Sequence, residues 1–93
     1  MNIQWNGKLY NNSHTLLADI AHEWLTASGW GTRADALEYS QRPEAQAVEC
    51  SEIWNLGETL DEAGLTVADL AEAMREWPES EAGQAFLGNE GNG

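Results

Sequence analysis

Basic residues are what this chain has least of. Lys and Arg number 4 among 93 residues against 16 Asp and Glu, for a formal net charge of −12. The summed field of such a chain repels phosphate backbones and anionic membranes, which argues against direct nucleic-acid binding and for a basic protein surface as partner. Simple solubility accounts for the same imbalance. The single cysteine, Cys50, excludes an internal disulfide. Met1-Asn2-Ile3-Gln4-Trp5 has neither the basic start nor the apolar run of a secretion signal. No apolar run approaches the roughly 18 residues of a membrane span. A reduced, cytoplasmic protein is therefore expected. Only two prolines, Pro43 and Pro78, punctuate the helical pattern, one suited to a helix start and one to a stop.

What is there reads as one domain. Ile3-Gln4-Trp5 and Lys8-Leu9-Tyr10 flank Asn6-Gly7, the preferred pair for a two-residue hairpin turn. Two strands this short must lean on helices, through Trp5 or Tyr10. Asn11-Asn12-Ser13 offers N-caps for a helix over 14–28, whose stripe is Leu16, Leu17, Ile20, Ala21, Trp24 and Leu25 and which Gly29 ends. Gly29-Trp30-Gly31 is a turn. Thr32-x-x-Asp35 then resembles a capping box for a helix from Arg33 to about Ser40, burying Ala34, Leu37 and Tyr39. Thr66-x-x-Asp69 repeats the box before a helix with Val67, Leu70, Ala71, Met74 and Trp77 on one face. A last short helix spans 79–87 and ends at Gly88. The expectation is a mainly α fold: a small bundle of four to five helices with a short N-terminal β-hairpin, one domain over 1–88 and a flexible tail over 89–93.

The longest run without a turn signal, Pro43 to Ala63, is expected to form one helix of roughly 31 Å. At 100° per residue its inner face is Ala45, Ile53, Leu56, Leu60 and Ala63, with Cys50 at the edge. Two residues spoil the pattern. Glu49 projects onto that face, which places it beyond the core's edge, and Gly57 marks a bend or break.

No constellation for catalysis stands out. His14 and His22 are not at the i, i+4 spacing that lets two imidazoles share a metal, and both read as solvated helix residues. Cys50 would need an electropositive setting to act as a nucleophile. Glu49 and Glu52 raise its pKa by like charge instead. No catalytic residue, metal or cofactor is expected. Leu65 to Met74 resembles the first helix of a helix-turn-helix repressor, but the acids and proline of Arg75-Glu76-Trp77-Pro78-Glu79 stand where base-reading residues would be needed.

The expected binding surface is the run from Pro43 to Met74, which has no Lys or Arg. Its residues are Glu44, Glu49, Glu52, Trp54, Glu58, Asp61, Glu62, Asp69 and Glu72, with Trp54 as an aromatic anchor or as a packing residue. In size, acidity, lack of catalytic motifs and Trp-rich helices, the chain resembles the small acidic anti-CRISPR and anti-restriction inhibitors of phages and mobile elements. That resemblance implies a non-enzymatic inhibitor covering a nucleic-acid-binding surface of a CRISPR effector or nuclease, some such proteins working as DNA mimics. The alternatives are an acidic homo-oligomeric adaptor, such as a homodimer, and an antitoxin-like partner of a basic toxin.

Overall fold

Asn6 sits at φ 53° and Gly7 at φ 77°, the positive pair that a tight hairpin turn requires. It joins β1 (Ile3–Trp5) antiparallel to β2 (Lys8–Tyr10), with Ile3 opposite Tyr10 and Trp5 opposite Lys8. The structure is a computed structural model; it describes residues 2–27 and 33–91, without the side chains of Arg33, Ala34, Asn89 and Glu90. The hairpin leans on the helices through Ile3 and Tyr10, both buried, and through half-buried Trp5. The Tyr10 hydroxyl donates to Asp19 Oδ2 at 2.7 Å, and Lys8 Nζ lies 3.5 Å from the same oxygen.

Asn12 caps α1 (Ser13–Leu25), its side-chain oxygen accepting from the backbone N–H of His14 and Thr15. All six stripe residues of α1 are buried. The Gly29 helix end, the Gly29-Trp30-Gly31 turn and Thr32 of its expected capping box lie outside the described residues. Among the described side chains of α2 (Arg33–Ser40), Ala36 and Ser40 are buried, Tyr39 is half-buried and Leu37 is 41% exposed rather than buried, while the expected burial of Ala34 lies outside the described side chains.

The expected single helix from Pro43 to Ala63 is two. Pro43 opens α3 (Pro43–Ile53), and α4 (Gly57–Ala63) follows a break centred on Asn55, at φ 55°. The Asn55 N–H donates to the Glu52 carbonyl at 3.3 Å and the Leu56 N–H to the Ser51 carbonyl at 2.9 Å. This is the paired closure that satisfies the last carbonyls of a helix, with Asn in the left-handed position in place of glycine. The break expected near Gly57 is therefore present, centred two residues earlier, and Gly57 starts the second helix. The break also turns Leu56 into the core. The facing of α3 is corrected too: Pro43, Gln46, Ala47 and Cys50 are inside, while Ala45 and Ile53 lie outside on the same side as Glu49.

Gly64, at φ 72°, ends α4 as expected, and the Thr66–Asp69 capping box opens α5 (Val67–Glu76). α5 is the central helix, packed against both α1 and α3 through Leu70, Ala71 and Met74. Trp77 continues that buried face into a 3-10 turn (Trp77–Glu79) containing Pro78. α6 (Glu81–Gly91) runs past Gly88, the expected end. The described residues thus form six helices and one hairpin.

The start of α6 comes down on Trp77. Ser80 Oγ donates to the Trp77 carbonyl at 2.6 Å and accepts from the Gly83 N–H at 3.0 Å. A Cβ at position 83 would land on that carbonyl, whereas one at Gly88 would meet open space. Gly83→Ala should therefore cost about 1–2 kcal/mol by overpacking, read as a lower urea midpoint. Gly88→Ala, at an exposed helical position with room for the methyl group, should instead raise the midpoint, by about 0.5–1 kcal/mol of helix propensity. Equal midpoints for the two variants would contradict this seating of α6.

Candidate functional site

The nine expected site residues sit on α3, α4 and α5, with Trp54 in the break between the first two, and do different things. Glu44, in the first turn of α3, is exposed, but its Oε1 accepts from Arg75 Nη2 at 2.7 Å. Asp69 accepts the Thr66 backbone N–H at 2.9 Å and so serves the start of α5. Trp54 is no free anchor. Its ring meets Trp24 edge-on, with centroids 5.1 Å apart and planes at 83°, and lies 6.2 Å from Trp5. The remaining six, Glu49 and Glu52 on α3, Glu58, Asp61 and Glu62 on α4, and Glu72 on α5, are all exposed.

Those six carboxylates meet no described cation at ion-pair distance. Lys8 is with Asp19, Arg42 lies 3.2 Å from Glu38, and Arg75 is with Glu44. Such exposed pairs stabilise the fold by only about 0–1 kcal/mol each. The described positive charges are thereby neutralised locally, and the outer carboxylates dominate the field.

The outward face of α3 carries more than charge. Val48 is 48% exposed and Ile53 63%, beside Glu49, Glu52 and Ala45. Reading α3 from sequence put Ile53 inside and left Val48 unplaced, and so missed these two exposed apolar residues at the edges of the outward face. The available signal was Glu49, a carboxylate sharing a face with Ala45 and Ile53. The buried face is held from within by Gln46, whose Oε1 accepts from the Trp24 indole N–H at 2.7 Å. A buried polar group with a partner is tolerated, and a hydrophobic pattern does not reveal it.

Two further expectations change. His22 is half-buried rather than solvated: its Nδ1 accepts from Trp77 Nε1 at 3.0 Å, and its ring forms a three-ring cluster with Trp77 and Phe86. Cys50 is fully buried, and burial pushes its thiol up to about 12. Desolvation, not the neighbouring glutamates, is the cause. At neutral pH the group is a thiol packed in the core, without nucleophilic character. His14 is exposed at the start of α1. Among the described residues no three His, Cys, Asp or Glu side chains are placed to hold a metal, and no helix is long and apolar enough to cross a membrane. No protein-family model, curated protein or solved structure matches this chain.

Proposed function

We propose that the chain is an acidic protein-binding inhibitor that covers a basic, nucleic-acid-binding surface of a partner, with the outward face of α3 at the centre of the contact. The observation that carries this reading is the placement of exposed Val48 and Ile53 among Glu49 and Glu52. Carboxylates opposite Lys and Arg speed encounter and set orientation, while apolar side chains excluded from water supply binding energy. The acids of α4 extend the charged surface and take the place of phosphates opposite Lys and Arg, releasing counterions on binding as DNA would. The resemblance to phage-type inhibitors suggests a CRISPR effector or defence nuclease as that partner. Self-association through α3 is disfavoured, because a two-fold contact would set Glu49 and Glu52 against their own copies on chains of net charge −12.

The test is competition with DNA for a purified effector or nuclease at two salt concentrations. Displacement of the DNA, weakening as salt rises, is the expected result. Val48→Ser with Ile53→Ser should weaken binding about tenfold, or about 1.4 kcal/mol, with an unchanged circular dichroism spectrum. A folded double variant of full affinity would remove α3 from the contact. Chains that associate only with themselves would put the homo-oligomeric reading in place of this one.

A further inference from the structure

A groove of about 300 Å³ lies between α1 and α5. Its apolar floor and walls include Leu17, Ala73 and Trp77, and its rim carries Asp69, Glu72 and Glu76 of α5. Asp69 is committed to the capping box, whereas Glu72 and Glu76 are exposed. Among the described residues no Lys or Arg lines the groove, and His14 of α1 is the one there that can become positive. The volume is at the small end of ligand-sized cavities, roughly 300–1,000 Å³.

The geometry points to this groove as a docking site for a basic amphipathic segment of a partner protein, an arginine beside a leucine. The aliphatic stem of the arginine would cross Ala73 and Trp77 while its guanidinium reaches Glu72 and Glu76, as long cationic side chains commonly do. The leucine would cover Leu17. Charge complementarity selects this occupant. A second copy of the chain is a poor one, since its described cations are already paired. The inference rests on the reading of a basic partner but assigns it a second contact, on elements other than α3.

The experiment uses isotope-labelled full-length protein and two synthetic peptides of equal charge, one with Arg and Leu at helical spacing and one of lysine alone. The Arg/Leu peptide should move the Trp77 indole and Leu17 methyl resonances saturably. Ala18→Arg places a cation of the chain's own at the groove from an exposed position of α1. It should weaken that binding at least tenfold with an unchanged unfolding midpoint. Should that variant misfold, Glu72→Gln with Glu76→Gln should give the same loss without crowding the groove. Equal shifts with oligolysine would reduce the effect to charge and overturn the groove. Shifts confined to α3 and α4 would also overturn it, while leaving the acidic-surface reading intact. Binding of neither peptide at low salt would overturn both.

Discussion

Replacing Trp54 with Ala is expected to lower folding stability by about 3 kcal/mol, the low end of the range for large aromatic truncations because the ring is half-buried. The position joins three parts of the molecule. Trp54 follows the last turn of α3, meets Trp24 of α1 edge-on and lies beside Trp5 of the hairpin. An edge-to-face pair adds roughly 0.5–1.5 kcal/mol beyond the area it buries. For a domain of this size the loss should move the melting temperature down by more than about 10 °C. Trp54→Phe, which keeps an aromatic face against Trp24, should recover most of it. The measurement is urea unfolding followed by circular dichroism, with the near-ultraviolet signal reporting the tryptophan cluster. If Trp54→Ala keeps its midpoint yet abolishes partner binding, Trp54 is a surface anchor and the packing described here is wrong.

The parts of this fold that were legible in the sequence are those decided locally. Asn6-Gly7 forces its turn by backbone sterics, and Thr66 and Asp69 satisfy each other's donors within one helical turn. The stripe of α1 is apolar enough that its facing admits one solution. α3 is the opposite case. It has no strong apolar stripe, and its inner face contains Gln46, which is satisfied by an indole 22 residues earlier in the chain. Nothing near Gln46 announces that partner. His22 misleads for the same reason, being held by Trp77 from 55 residues away. The break at Asn55 was nearer to legible, because Trp54-Asn55-Leu56-Gly57 places the commonest non-glycine left-handed residue just before an apolar one. The acidity of the site is plain from composition. Which carboxylates remain uncompensated is not, since that depends on Arg75 reaching Glu44 across 31 residues of sequence.

Raising the pH from 8 to 11 is expected to cost about 2–3 kcal/mol of stability, most of it through Cys50. Burial pushes that thiol from its ordinary 9.0 up to about 12. Tyr10 rises from 10.0 to about 12, first through burial, then through its hydrogen bond to Asp19 and the charges of Asp19 and Glu23. In both cases the folded chain favours the neutral form. Above pH 9 for the thiol and 10 for the phenol, the unfolded chain binds fewer protons than the folded one, so stability falls as pH rises. The contribution is fully present below those values and is lost as the pH approaches about 12. At 1.36 kcal/mol per pH unit, the thiol sets a ceiling of about 2.7 kcal/mol at pH 11. Relaxation of the core around the thiolate lowers this to about 2 kcal/mol, and the part-buried Tyr10 hydroxyl, which solvent does reach, adds less than about 1 kcal/mol. Urea midpoints at the two pH values, for the native chain, Cys50→Ala and Tyr10→Phe, separate the two groups. Cys50→Ala has a lower baseline, since it empties a little core volume, but the alkaline fall should be mostly gone in it. Tyr10→Phe should keep that fall almost whole. If the native chain and Cys50→Ala lose the same stability between pH 8 and 11, the thiol is not sealed in the core between α3 and α5.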